Sequence, residues 1–138
     1  MRKHILCLIG VGLLVLWIAG CSQDKKAAAQ GAAADWLKLV DSGNYARSWE
    51  QAASLMKGTV AQEQWQQILQ VNRAPLGALI SRKLTSAEYS EDLPGAPAGQ
   101  YVVLQYASSF EHKRSAIEVA TPTMDTDGKW RVSVYYVK

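Results

Sequence analysis

Apolar residues recur at helical spacing through the first part of the chain and predict three helices. The first helix carries its apolar residues at i, i+3, i+4 and i+7, which places them on one face: Ala33, Trp36, Leu37 and Val40. The polar run at 41–44 contains a glycine and predicts the end of this helix. The second stripe predicts one helix that ends near Gly58, and it consists of Tyr45, Trp49, Ala52, Ala53 and Met56.

The third predicted helix begins at a polar pair with the spacing of a capping box. Thr59 and Gln62 are three residues apart, so that each side chain can bond the backbone of the other. The inward face of this helix is predicted to hold Trp65, Ile68 and Leu69. Pro75 and Gly77 then break the helical pattern.

From Leu79 onward the apolar period falls from about 3.6 to about 2, which predicts strands. The first strand, about Leu79 to Tyr89, carries Arg82 and Lys83, as an edge strand can. The proline and glycine run at 93–99 cannot continue a strand and predicts a loop. The second strand has a clear inward face, made of Val102, Leu104, Tyr106 and Phe110.

Two further strands are predicted as a hairpin around the turn sequence Asp125–Gly128. In the third strand Ile117, Val119 and Thr121 are predicted to face the core, and Glu118 therefore to face solvent. The last strand is predicted to place on one face Trp130, Val132, Val134 and Tyr136. Helices followed by strands predict an α+β domain, with the N-terminal helices packed on one face of a four-stranded antiparallel sheet.

The start of the chain has the layout of a secretory signal. Arg2 and Lys3 precede an apolar run at 5–19 that ends in small residues. This run is shorter than the about 20 residues of a permanent membrane span, although an uncleaved anchor is the alternative. Ile18-Ala19-Gly20-Cys21 resembles the lipobox of bacterial lipoproteins, in which the cysteine receives a diacylglyceryl thioether and becomes an acylated N-terminus.

The lipobox predicts how the chain is divided and where it works. We expect a signal peptide at 1–20, a lipidated tether at 21–32 and one domain at 33–138. Each buried lipid methylene contributes about 0.8 kcal/mol, so several acyl chains would hold the protein on a membrane. Enterobacterial sorting retains lipoproteins in the inner membrane when aspartate follows the cysteine. Ser22 stands there, which by resemblance predicts the outer membrane, with the domain facing the periplasm.

Charge and motif content narrow the possible functions. Loss of residues 1–20 would lower the formal net charge from +3 to +1, so the sequence predicts no nucleic-acid partner. It contains no phosphate-binding glycine loop, no zinc-protease motif and no hydrolase elbow. His112 is the one histidine beyond the signal segment and is predicted in a solvated turn. We therefore expect no cofactor and no metal.

Several segments together resemble the bacterial family named domain of unknown function 4019, over about Ala33 to Lys138. They include Val40-Asp41-Ser42-Gly43-Asn44-Tyr45, Arg73-Ala74-Pro75-Leu76-Gly77, Leu93-Pro94-Gly95 and Asp127-Gly128-Lys129-Trp130-Arg131-Val132. The family supplies no catalytic residues. Its order of helices and strands is similar to NTF2-like and cystatin-like folds, in which a curved sheet wraps a helix.

Two charged residues and a set of aromatic residues are candidate functional groups. Glu118 is an acid inside an apolar strand and could serve as a general base if it faced a pocket. Arg73 either stabilises the end of the third helix or, with Arg82, clamps an anion. Aromatic residues either fill the core or, with Arg73, line a pocket; the candidate lining is Trp65, Arg73, Tyr106, Trp130 and Tyr136.

The sequence favours a lipid-anchored envelope protein whose domain is a non-catalytic binding module for a protein partner or a small apolar ligand. The alternative is an NTF2-like enzyme doing proton-transfer chemistry in an aromatic cone, which needs a buried carboxylate. A structural accessory of an envelope complex is a third interpretation.

Overall fold

The computed structural model of the chain describes residues 17–138, and the burial of side chains from residue 20 onward. Most of the predicted signal peptide, residues 1–20, lies outside the described residues. The described chain forms four α-helices, a short 3₁₀-helix and one four-stranded sheet. The helices are α1 (Trp17–Asp41), α2 (Tyr45–Glu50), α3 (Ser54–Thr59) and α4 (Gln62–Asn72), followed by the 3₁₀-helix Ala74–Leu76.

Helix α1 begins earlier than the apolar pattern indicates. The segment 21–32, predicted as a tether, is helical and continuous with the rest of α1. Alanine has the highest helix propensity, which favours this conformation in an alanine-rich run. Ala29 is fully buried, so the packed stripe of α1 extends one turn before Ala33. The helix ends at Asp41 as predicted, and Gly43 then takes a positive φ of 75°.

The second predicted helix is two helices, because a long-range hydrogen bond interrupts it. The backbone N–H of Ala53 donates to the carbonyl of Val132 at 2.8 Å, in a different part of the chain. This bond takes Ala53 out of the helical ladder, although Ala53 and Met56 are buried as the stripe predicts. The prediction of one continuous helix is therefore wrong.

Helix α4 also starts differently from its prediction. The Thr59 hydroxyl donates to the carbonyl of Leu55 at 2.7 Å and does not cap α4. Instead the Gln64 side chain accepts from the backbone N–H of Ala61 at 3.3 Å. Trp65 and Leu69 are buried as predicted, whereas Ile68 is 43% exposed and does not belong to the inward face.

The sheet is antiparallel throughout, in the order β1-β2-β3-β4. Its strands are β1 (Leu79–Ser90), β2 (Tyr101–Phe110), β3 (Lys113–Met124) and β4 (Trp130–Val137). The helices pack on one face of this open sheet, with α1 in contact with all four strands. The α+β prediction is confirmed, and the arrangement is compatible with an NTF2-like or cystatin-like fold. β1 is an edge strand, as Arg82 and Lys83 indicated.

In strand β2 the predicted faces are correct, but in β3 the prediction fails at Ile117 and Glu118. Ile117 is 43% exposed, whereas Glu118 is fully buried, together with Ala116 and Ala120. The prediction that Glu118 faces solvent is wrong. From 118 to 123 every residue of β3 is buried, so alternation carries no information there. Small residues at 116 and 120 leave room for the helices on the face where Glu118 lies.

Strand β4 changes face partway along. Its register against β3 shifts between Thr121 and Pro122, so that β4 holds one extra residue. Such a bulge reverses the alternation of side chains beyond it. Val132 and Tyr135 are consequently buried, while Val134 and Tyr136 are about half exposed. The prediction that all four apolar residues of this strand share one face is wrong.

Candidate functional site

The fully buried carboxylate of Glu118 is bonded by side chains from the three other strands. Oε1 accepts from Arg82 Nε of β1 at 2.7 Å and from Ser108 Oγ of β2 at 2.6 Å. Oε2 accepts from Arg82 Nη2 at 3.0 Å and from Tyr135 Oη of β4 at 2.8 Å. Each carboxylate oxygen thus has two donors, which satisfies its usual acceptor capacity.

A second carboxylate extends this cluster to the helices. Asp41, at the end of α1, accepts from Arg82 Nη1 at 2.8 Å and Nη2 at 2.9 Å, and from Arg73 Nη2 at 3.2 Å. Arg73 also donates from Nη1 to the carbonyl of Gly77 at 2.8 Å. Its guanidinium lies 4.4 Å from the centre of the Phe110 ring. We call this set the polar core network: Asp41, Arg73, Arg82, Ser108, Glu118 and Tyr135.

Burial and charge within the polar core network oppose each other at Arg82. Burial alone lowers the pKa of Arg82, but hydrogen bonds to Asp41 and Glu118 outweigh it and the pKa is raised. Burial raises the pKa of Tyr135, and the neighbouring Glu118 carboxylate adds to this effect. Burial likewise raises the pKa of Tyr106 to about 12. Both phenols therefore stay protonated at neutral pH, and Tyr135 remains a hydrogen-bond donor.

The polar core network joins the end of α1 to the middle of the sheet. Its two arginines bind carboxylates of this same chain, so they are not placed to clamp an external anion. Arg73 does stand at the end of α4, but its side chain bonds Gly77 and Asp41. Arg73 Nε is buried with no hydrogen-bond partner among the described residues. A buried unpaired donor costs about 1–3 kcal/mol.

The candidate pocket residues lie around different clefts. Trp65 lines a cleft of about 330 Å³ between α3, α4 and β4, and Arg73 and Tyr136 line one of about 250 Å³ beside the end of β4. Trp130 lines a third, of about 400 Å³, near the middle of α1. Tyr106 is buried and lines none of these three clefts. The structure therefore brings Arg73 and Tyr136 together but separates them from Trp65 and Trp130.

Two tryptophan side chains, Trp36 and Trp65, fill the core. Trp36 and Trp65 are buried with ring centres 6.2 Å apart, and the Tyr135 ring packs edge-on against Trp36 at 5.5 Å. Both indole N–H groups bond Ser48: Trp36 to its carbonyl at 2.7 Å and Trp65 to its hydroxyl at 2.9 Å. These contacts tie α1, α2 and α4 to β4, and they match the core interpretation of the aromatic residues.

Sequence reasoning missed three members of the polar core network: Asp41, Ser108 and Tyr135. A partial signal existed, because Arg82 and Glu118 are opposite charges in the middle of two predicted strands. What joins them is long-range, since β2 lies between β1 and β3 and its Ser108 reaches Glu118. His112 is exposed in the β2–β3 turn, as predicted.

Residues 17–138 contain no group of three or more histidine, cysteine, aspartate or glutamate side chains that could hold a metal ion. None of the helices described is both long enough and apolar enough to cross a membrane.

The model of one protein family matches residues 32–135, which is more than half of the chain. That family is described as Protein of unknown function (DUF4019). The chain belongs to this family. Membership confirms the resemblance carried by the segments quoted above, over nearly the expected range. No curated protein and no solved structure matches the chain. The DUF4019 description assigns no residue roles.

Proposed function

We propose that the protein is a lipoprotein anchored through Cys21 in the outer membrane, with a non-catalytic binding domain in the periplasm. One observation supports a binding domain over a catalytic one: the Glu118 carboxylate already accepts four hydrogen bonds from side chains of this chain. A general base needs a free lone pair within reach of substrate. Glu118 has no free lone pair, and it is out of reach of a substrate because it is fully buried and lines none of the clefts described above.

The clefts beside α4 and β4 support binding over chemistry. Their lining is mostly apolar, with Ile68 in both and no histidine, cysteine, aspartate or glutamate in either. Apolar concave surfaces with few polar groups are typical of binding sites. Ile68 is also 43% exposed, so apolar surface in this region is open to a partner.

The proposal of a lipid anchor rests on the lipobox resemblance and on the position of Cys21. Cys21 is exposed on α1. Four residues later, Lys25 Nζ donates to the Tyr89 hydroxyl at 3.2 Å and lies 4.9 Å from the ring centre. These contacts hold the start of α1 against the end of β1. A lipid on Cys21 would therefore be close to the folded domain and fix which end faces the membrane.

Metabolic labelling with a radioactive fatty acid tests the anchor. We expect wild type to be labelled and recovered with the outer membrane, and Cys21→Ser to be unlabelled and to accumulate as precursor. Cys7→Ser is the matched control, because the proposal places Cys7 in the removed segment, and it should be labelled like wild type. Labelling of Cys21→Ser at the wild-type level would contradict the anchor.

Chemical crosslinking of intact cells tests the binding domain separately. The proposal predicts that a fraction of the protein migrates with the added mass of a partner. A protein that stays at its own mass under all crosslinkers would contradict a protein-binding role.

A further inference from the structure

The C-terminal part of strand β4 has an outer edge whose backbone groups are unpaired, beyond Val132, whose carbonyl bonds Ala53. Ile117 and Lys138 exchange both backbone hydrogen bonds, at 2.8 and 2.9 Å. In an antiparallel ladder, such pairs alternate with pairs that make no bonds to each other. The register therefore points the N–H and C=O groups of Tyr135 and Val137 away from β3. Within residues 17–138 no other group bonds to them.

Large apolar side chains flank this edge on both faces of the sheet. On the helix side, α4 presents Ile68 and Val71, which is 70% exposed. On the opposite face β4 presents Val134 and Tyr136, each about half exposed. We call these four residues, together with the outer edge of β4 at 135–137, the β4 edge surface. The clefts of about 330 and 250 Å³ adjoin it, and both are lined by Ile68 and Tyr135.

The two edges of the sheet differ in how they are protected. Strand β1 carries Arg82 and Lys83, and its register against β2 is irregular at two places. Charged residues and bulges are the devices by which proteins stop an edge strand from pairing with another chain. Strand β4 has no charged side chain from 132 to 137. An edge left open beside exposed apolar residues is suited to receiving a strand.

We infer that the β4 edge surface binds an extended, uncharged segment of a partner protein, which adds a fifth strand to the sheet. This inference rests on the proposed function and names the partner's chemistry. The N–H and C=O groups of Tyr135 and Val137 bond the backbone of the added strand. Its alternate side chains contact α4 on one face and Val134 and Tyr136 on the other. A charged segment is disfavoured, because the surrounding apolar side chains would desolvate its charges without pairing them.

The anchor geometry favours a partner protein over a second copy of this chain. Helix α1 runs along the sheet, since its start lies against Tyr89 at the end of β1 and its last residue, Asp41, bonds Arg82 near the start of β1. Two β4 edges related by a two-fold axis pair antiparallel. The two Cys21 residues would then lie at opposite ends of the dimer, so one membrane could hold both only by lying along the helix face of the sheet, whereas a partner strand sets no such condition.

Site-specific photocrosslinking in intact cells tests the inference on the full-length, processed protein. Benzoylphenylalanine replaces Val71 on the β4 edge surface or, as the control, Gln70, which is exposed and lines a cleft on another side of α4. The adduct is mapped by peptide mass spectrometry. We expect an adduct from position 71 but not from position 70, joined to an uncharged segment of another protein.

Two substitutions then ask whether the backbone and the apolar flank are both needed. Val137→Pro removes the outward N–H while keeping the bonds of β4 to β3, whereas Val137→Thr keeps that N–H. We expect the proline variant to reduce the yield of the adduct about tenfold, because one hydrogen bond to the added strand is lost and the proline ring stands in its place. Ile68→Lys should also reduce it, and Gln70→Lys should not. Circular dichroism on all four variants checks that each one is folded.

Four results would overturn the inference. An adduct to β4 of a second copy replaces the partner with self-association. An adduct that survives both Val137→Pro and Ile68→Lys excludes pairing at this edge. Adducts from position 70 alone would place the binding site elsewhere on the domain and leave the proposed binding function intact. Adducts from neither position, with no crosslinked complex in wild-type cells, would contradict the β4 edge site and the proposed binding function together.

Discussion

Replacement of Glu118 by glutamine tests whether the polar core network holds the fold together. The substitution keeps the size of the side chain but exchanges one acceptor oxygen for an NH₂ group. Both carboxylate oxygens accept from Arg82, so in either orientation the new NH₂ faces an N–H donor of that arginine. Ser108 and Tyr135 can rotate their hydroxyls, whereas the guanidinium has no acceptor to offer.

The expected loss is large because the guanidinium stays buried with one partner fewer. Arg82 is 14% exposed and Glu118 is fully buried. Removing one member of a buried ion pair typically costs about 3–5 kcal/mol. The bonds from Arg82 to Asp41 remain, which favours the lower end of that range. Domains of this size have about 5–15 kcal/mol of stability in total, so the variant would keep only a part of it.

Urea unfolding of residues 22–138, followed by tryptophan fluorescence, measures this loss. With a slope of about 2 kcal/mol per molar urea, a loss of about 3 kcal/mol lowers the midpoint by about 1.5 M. Glu88→Gln is the matched control, since Glu88 is exposed on β1, and its midpoint should stay at the wild-type value. A Glu118→Gln midpoint within about 0.3 M of wild type, which at this slope is a loss of only about 0.6 kcal/mol, would show that the polar core network does not hold the fold together.

Three further predictions concern the core, a turn and the response to acid. Ser48→Ala leaves the Trp65 N–H without its acceptor and should cost about 1–3 kcal/mol in urea unfolding; no measurable loss would mean that water replaces the hydroxyl. Gly77→Ala should destabilise the domain more than Gly43→Ala. Both glycines have φ near 75°, but only at Gly77 would a Cβ clash, 2.8 Å from a glutamate Cβ; equal losses would contradict this. Hydrogen bonds from an arginine lower the pKa of Asp127 to about 2. A carboxyl whose pKa is lowered by folding stabilises the fold above its unfolded pKa of about 3.9. The difference in free energy of unfolding between wild type and Asp127→Asn should therefore be constant at neutral pH and vanish as the pH falls toward 2. A difference that is unchanged at pH 2 would contradict this.

Local patterns were sufficient where one face of an element meets solvent. In β2, the exposed Gln105 and Ala107 alternate with the buried Leu104 and Tyr106, so alternation identified the core face correctly. The end of α1 was likewise local, since polar residues and Gly43 stop it.

Local patterns failed where distant parts of the chain decide the structure. The break between α2 and α3 depends on the bond from Ala53 to Val132, nearly eighty residues away. The orientation of Glu118 depends on Arg82, which supplies the opposite charge from another strand. A single sequence shows neither contact. An acid inside a strand is predicted to face solvent unless the opposite charge that pairs with it is known.

The candidate site was predictable only in part for the same reason. Trp65 and Tyr106 were assigned to apolar faces and are buried, but no pattern indicated that the other candidate pocket residues line separate clefts. The extra residue in β4 reverses its faces and leaves Val134 and Tyr136 exposed. Much of the β4 edge surface thus arises from a bulge that the sequence alone does not reveal.

Native mass spectrometry of the full-length, processed protein, extracted from membranes in mild detergent, detects the lipid on Cys21 and a bound partner in one spectrum. We expect a protomer that begins at an acylated Cys21, together with a heavier species that contains one other polypeptide. Ile68→Lys should remove the heavier species and keep the acylated protomer. A spectrum with only the bare protomer, with a small molecule in place of a polypeptide, or with an unmodified Cys21 would contradict the account.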